Sequence, residues 1–252
     1  MIKKYIWIIT NFIGLTAVCL LLFTGCTATS LFTSELHVGR GDFLAKYAYY
    51  DEAITQYTLA IEIYPQDLKA YYTRASLYNF LGEYELAIAD CNSLEAISPL
   101  NPNIFTNRAI AYSGLKKYDL AITESSQAIE LSPDWALPYG IRGLAYSETG
   151  QYQLAITDTS RAIVLDPKFS AAYNTRGISY ASLGEYNQAL PDFNKAIEIS
   201  PGFAEAYFNR GKVYQALSMK PEAIADFTKY ISISNNTERN SQAQQYINEL
   251  SQ

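Results

Sequence analysis

The chain has 252 residues, a formal net charge of −6, one histidine and three cysteines. An acidic balance without basic clusters excludes a nucleic-acid reader, because phosphate binding needs a basic surface. A lone histidine, His37, allows neither a Ser–His–Asp arrangement nor a histidine metal cluster, and no Gly-rich loop ends in GK[ST], so a P-loop is absent.

Residues 1–26 differ in kind from the rest. MIKK gives a positive start, an apolar run follows from Tyr5 to Phe23, and Thr24-Gly25-Cys26 closes it. This resembles a bacterial lipoprotein signal peptide, which implies cleavage before Cys26 and lipidation of its thiol. Phe23 departs from the leucine usual in that motif. The length of the run also suits an uncleaved anchor, since about 20 apolar residues span a bilayer. In either case Lys3 and Lys4 favour a cytoplasmic start, which puts the remainder on the non-cytoplasmic side, at the cell envelope. Residues 26–33 are then the lipidated cysteine and a short tether, reaching at about 3.5 Å per extended residue a few tens of ångströms from the membrane. Removing residues 1–25 takes Lys3 and Lys4 away and leaves a net charge of −8. With Cys19 in the apolar run and Cys26 at its end, Cys91 has no partner for an intramolecular disulfide and reads as a small core residue.

From residue 34 the chain repeats. Pro65, Pro99, Pro133, Pro167 and Pro201 are evenly spaced, and Ala53, Ala87, Ala121, Ala155, Ala189 and Ala223 form an unbroken column at the same interval. A fixed period of this size marks a stacked-repeat architecture. Within Ala171–Phe203, residues Tyr173, Gly177 and Tyr180 recur at helical spacing. Gly184 sits where a helix end needs a left-handed residue, as do Gly82 and Gly150. A second helical run, Asn187–Ile199, carries Ala189, Leu190, Phe193, Ala196 and Ile197 on one face, and Pro201 stops it. Pro191 is expected to delay or bend the start of that run. The small column Gly41, Ala75, Ala109, Gly143, Gly177 and Gly211 lies on the first helix of each unit. Glycine inside a helix costs about 1 kcal/mol relative to alanine, so close helix approach is expected there.

These residues resemble the tetratricopeptide repeat, a helical hairpin whose pattern appears here as Tyr173, Gly177, Tyr180, Ala189, Phe193, Ala196 and Pro201. Six units fit: 34–67, 68–101, 102–135, 136–169, 170–203 and 204–237. His37 and Leu44 depart from the aromatic columns, Leu94 and Tyr230 from an alanine column, and Asn235 replaces the last proline. The resemblance implies an all-α solenoid, a right-handed superhelix. Residues 238–252, with Ala243, Tyr246, Ile247 and Leu250 on one face and Gln and Asn elsewhere, are expected to cap it.

Six of the eight arginines share one register: Arg40, Arg74, Arg108, Arg142, Arg176 and Arg210. The column Asp90, Glu124, Asp158, Asp192 and Asp226 is the natural partner, giving a structural ladder between helices; the competing reading is an anion-binding stripe. For Arg142 the spacing leaves both Glu124 and Asp158 open. The tripeptide Arg40-Gly41-Asp42 spells an adhesion motif, but its first two residues belong to packing columns.

The resemblance also implies a concave groove lined by the first helices. A carboxylate clamp would need lysine among Val38, Tyr72, Thr106, Gly140, Asn174 and Phe208, and arginine among Gly39, Thr73, Asn107, Ile141, Thr175 and Asn209; neither is present. The expected lining is Tyr72, Phe80, Ile110, Leu144, Ile178 and Phe208, with Asn107 and Asn209 bonding a partner's backbone. Partial burial of Ile110, Leu144 and Ile178 against neighbouring helices is the competing account. The chain thus reads as a non-enzymatic, membrane-tethered scaffold that binds a weakly charged protein or peptide segment, with no cofactor, metal or nucleic acid. The alternative is an accessory enzyme or an assembly factor of a pilus- or secretion-type envelope complex.

Overall fold

The computed structural model describes residues 26–252, and the anchor expected over residues 1–25 lies outside them. Thirteen helices and no strands make up the described residues, in an all-α solenoid of consecutive hairpins. The helices are α1 (Cys26–Lys46), α2 (Tyr50–Ile63), α3 (Leu68–Leu81), α4 (Tyr84–Ile97), α5 (Pro102–Gly114), α6 (Tyr118–Leu131) and α7 (Ala136–Glu148). They continue with α8 (Tyr152–Leu165), α9 (Ser170–Ser182), α10 (Tyr186–Ile199), α11 (Ala204–Ala216), α12 (Lys220–Ile233) and α13 (Thr237–Leu250). The chain divides into two compact units, Met1–Asn107 and Arg108–Gln252, with the boundary inside α5.

In both units the turn inside each hairpin is set by one left-handed residue. Ala48, Gly82, Lys116, Gly150, Gly184 and Ser218 all have positive φ, and they recur at the interval of the proline and alanine columns. That backbone sign lets the next amide reach back to the last helical turn. Glu83 N–H donates to the Tyr78 carbonyl at 2.9 Å, Gln151 to Tyr146 at 2.8 Å, and Glu185 to Tyr180 at 2.9 Å. Orphan carbonyls at the helix end are thereby satisfied. Three of the six turns reach this geometry without glycine.

In the first unit the α1–α2 hairpin buries Val38, Tyr57, Ala53 and Ala60. Gly41 lies under the Tyr57 ring, where a Cβ would collide with it. Residues 27–33, expected to be an extended tether, are instead the first turns of α1. Ser34 anchors this helix: its hydroxyl donates to the Ala60 carbonyl at 3.1 Å and meets the Asp67 carboxylate, which also accepts from Ala70 N–H at 3.0 Å and so caps α3. Eight helical residues advance about 12 Å, where an extended tether would cover twice that. Cys91 is fully buried beside Ala75, Leu94 and Ile104.

In the second unit the same contact recurs with different volumes. A Cβ on Gly177 would stand 2.8 Å from Phe193 Cε1, on Gly211 3.0 Å from Phe227 Cε1, and on Gly143 2.7 Å from Thr159 Cγ2. Glycine therefore faces bulk, whereas in the first unit Ala75 faces the smaller Cys91. The pair of columns conserves volume between two helices that touch. Pro191 neither delays nor shifts α10, which starts at Tyr186 in the register of Tyr152 and Tyr118. At the C-terminal end α13 lays Ala243 and Tyr246 on Phe208, Phe227 and Tyr230, and Asn236 caps it by accepting from Arg239 N–H at 3.0 Å.

Candidate interaction surface

The arginine column is structural. In the second unit Arg142 makes two parallel bonds to Asp158, Nε to Oδ2 at 2.6 Å and Nη2 to Oδ1 at 2.9 Å, while Nη1 donates to Ser126 Oγ at 3.0 Å. One side chain on α7 thus joins α6 and α8. Arg176 repeats this with Asp192 and Ser160, and Arg210 with Asp226 and Asn194. Arg108 donates to Glu124 at 2.8 Å. In the first unit Arg74 bonds Asp90 and Thr58 in the same way. Each acid lies sixteen residues after its arginine, so Arg142 pairs with Asp158 and not with Glu124. At Arg142 the tyrosine rings three before and four after flank the guanidinium, Tyr139 at 5.8 Å and Tyr146 at 6.0 Å. Hydrogen bonds to Asp158 hold Arg142 above its ordinary pKa against the opposing effect of burial. For Arg74, burial pulls the pKa down but is outweighed by Asp90.

Arg40 departs from the expected ladder. Its side chain is exposed and the residue sixteen positions on is Gln56, whose amide oxygen is 2.9 Å from His37 Nδ1. A neutral amide tied to His37 gives Arg40 no ion pair at the ladder position. Asp42 completes the tripeptide but serves packing, accepting from Tyr57 Oη at 2.9 Å and pairing with Lys69 at 3.1 Å.

The polar columns thus lie between the helices, which leaves the expected groove lining to be placed unit by unit. In the first unit Tyr72 is exposed and Phe80 is the more exposed of the two, its ring 5.4 Å from that of Tyr50. Asn107 does not face a groove: it is buried, its amide oxygen accepting from Ser76 and its carbonyl from Asn79. In the second unit Phe208 is also buried, because Tyr230 and Tyr246 close over it from α12 and α13. Asn209 is half-buried and spends its amide on Asn174 Oδ1 at 3.2 Å. Of the apolar stripe, Ile110 is half-buried and Ile178 packs partly against Ala189 and Phe193. Leu144, at 36 % relative exposure, alone stands clear of the core.

Two exposed apolar sets escaped the sequence reading. Leu120 and Leu154, one repeat apart on α6 and α8, share one outward register of the second unit. On α1, Phe32, Leu36 and Phe43 are exposed, as is Tyr47 just past its end. Their spacing, one and then two helical turns apart, could have revealed this second set. Among the described residues no group of three His, Cys, Asp or Glu side chains could hold a metal ion.

Comparison with known proteins agrees with this geometry. A model of the tetratricopeptide repeat matches residues 68–99, 102–134 and 204–237, and a second TPR repeat model matches 177–218. Together they cover half of the chain. A tetratricopeptide repeat protein from Parabacteroides merdae ATCC 43184 superposes with a TM-score of 0.69 at 24 % identity, over 87 % of this chain and 84 % of that one. PilW, described as a type IV pilus biogenesis factor, gives 0.72 at 17 % identity over 84 % and 98 %. YrrB, described as a TPR protein with an unusual peptide-binding site, gives 0.53 at 23 % identity over 75 % and 97 %. No curated protein matches the sequence. Hairpin period, ladder and matched repeats together place the chain in the tetratricopeptide repeat family, as a protein-interaction scaffold.

Proposed function

We propose that the chain is a membrane-tethered adaptor of the bacterial cell envelope, which holds a weakly charged, partly apolar partner segment against the first helices of its second unit. The observation that carries this reading is Leu144, an exposed leucine on α7, a helix whose other positions Ile141, Gly143 and Ala145 are already buried. Ile110 on α5 and Ile178 on α9 hold the same register, so a bound segment would meet three aliphatic side chains. Fully burying one such side chain contributes roughly 1.5–3 kcal/mol, and the exposed fraction of the three sets the gain. Clamp columns without lysine or arginine favour a partner that does not present a terminal carboxylate. In this reading the attachment is residues 1–26; among the described residues no helix is long and apolar enough to cross a membrane.

Site-specific photo-cross-linking in intact cells tests the capture. A photoreactive residue at position 144 should give one dominant protein adduct, which the same residue at the exposed Val164 does not give. Equal adducts at both positions would contradict the reading. The tether is tested by fractionation and intact mass. A diacylated chain beginning at Cys26 is expected, an intact chain retaining residues 1–25 would mean an uncleaved anchor, and a soluble chain would remove the tether altogether.

A further inference from the structure

Helix α1 carries two apolar faces. Ser34, Val38, Gly41 and Ala45 point into the hairpin, while Phe32, Leu36, Phe43 and Tyr47 follow a line on the opposite side, at 51 %, 37 %, 50 % and 57 % exposure. With 3.6 residues to each helical turn, Phe32, Leu36 and Phe43 share one narrow stripe of the helix surface, and Tyr47, in the turn that follows α1, extends it with its ring 4.9 Å from that of Phe43. A Cβ on Gly39, at the edge of that stripe, would meet nothing, so no other part of the described chain covers it.

The repeat shows what such a face requires. At the register of Leu36 every later hairpin has a buried residue: Ala70, Ile104, Pro138, Ala172 and Ala206. At the register of Phe43, Leu77, Ala111, Ala145, Ser179 and Val213 are buried as well. An end of a repeat array that meets only water is polar. The other end obeys this, since α13 turns Gln242, Gln244, Gln245 and Glu249 outward. The α1 face is instead larger and more aromatic than its counterparts.

The preceding sequence indicates what covers it. Tyr5–Phe23 is an apolar run that carries none of the repeat columns and stops just short of Cys26, where α1 begins. By helical rise, Phe32 lies about 9 Å and Phe43 about 26 Å along α1 from Cys26. Helices that lie in a membrane interface present such an apolar face, and aromatic side chains concentrate at headgroup level. Arg40, which lacks the carboxylate that its ladder counterparts have, sits between Leu36 and Phe43, one helical turn from each. It flanks the stripe on one edge, and Glu35 and Lys46 lie along the other.

We propose that α1 is a membrane-seating helix: Phe32, Leu36, Phe43 and Tyr47 enter the acyl–headgroup boundary of the leaflet to which residues 1–26 tether the chain, and Arg40 meets lipid phosphate. This rests on the tether reading and adds an orientation to it, since the α1 stripe then faces the lipid. The test uses the full chain in vesicles of phosphatidylethanolamine and phosphatidylglycerol, with Trp7 and Trp135 replaced by Phe and a single tryptophan introduced. Phe32→Trp, Leu36→Trp and Phe43→Trp should lose emission when the lipids carry brominated acyl chains, while Phe80→Trp in the same unit should not. Arg40→Glu, at an exposed residue, should reduce that quenching while leaving the helical spectrum unchanged. Chains that float with the vesicles but show equal quenching at positions 43 and 80 would overturn the seating and spare the tether. Chains that do not float would overturn both. Disulfide-linked dimers formed by Phe43→Cys, with no quenching of Phe43→Trp, would assign the face to a second copy of the chain and overturn the proposal. Unchanged quenching in Arg40→Glu would overturn the phosphate contact.

Discussion

Arg142→Ala should destabilise the second unit more than any single exposed substitution. The side chain makes a bidentate pair with Asp158, a third bond to Ser126 and two ring contacts, and its loss strands an Asp158 side chain only 8 % exposed. Breaking one partner of a buried pair costs about 3–5 kcal/mol, and the 20 % exposure of the Arg142 side chain favours the lower end of that range. Part of the cost is the penalty on Asp158 itself, so Arg142→Ala with Asp158→Ala should cost less than the two single changes added together. Urea unfolding followed by circular dichroism measures this as a double-mutant cycle. Coupling of about 1 kcal/mol or more is expected between Arg142 and Asp158, and close to none between Arg142 and Glu124. Zero coupling in the first cycle, or equal coupling in both, would refute the same-hairpin ladder.

Other perturbations probe the remaining contacts. Lys116→Gly should raise the melting temperature, because a non-glycine left-handed residue costs about 1–2 kcal/mol, partly offset by the extra unfolded-chain entropy of glycine; a lower temperature would contradict the turn geometry. Gly177→Ala should cost about 1–3 kcal/mol by pressing on Phe193, and the combination with Phe193→Cys should cost less than the sum of the parts. Burial and then the bond to Asp42 raise the Tyr57 pKa. Its folded value thus exceeds the unfolded one, so the stability it contributes is present below pH about 10 and lost as pH rises further. Melting temperatures between neutral and strongly alkaline pH should therefore fall less in Tyr57→Phe than in the parent chain.

The parts of the fold that repeat were legible in the sequence, because six copies of a column average out local exceptions. Ala53 through Ala223 are all fully buried, and Gly82, Gly150 and Gly184 all close their helices. What the period could not carry was the environment of a single copy. Phe208 shares a register with exposed Tyr72, yet Tyr230 and Tyr246 close over it. Asn107 looked like a ligand contact until Ser76 and Asn79 claimed its oxygens. Arg40 stood in the arginine column, but Gln56 stands where its acid should be, a difference visible only once the pairing distance along the chain is known. Ala48, Lys116 and Ser218 show the converse, with the turn imposing its backbone on residues whose own preference opposes it.

The central claim is that the second unit captures a partner at the register of Leu144, the residue of the apolar stripe that stands clear of its core. Leu144→Glu tests it most directly, read by cross-linking yield in cells and by the melting temperature of the purified chain. The account predicts that capture is lost while the melting temperature stays nearly unchanged, since Leu144 is exposed and surface substitutions usually shift stability by less than about 0.5 kcal/mol. Unfolding of the unit would contradict it by showing that the stripe is core, and undiminished capture would contradict it by showing that the partner binds elsewhere.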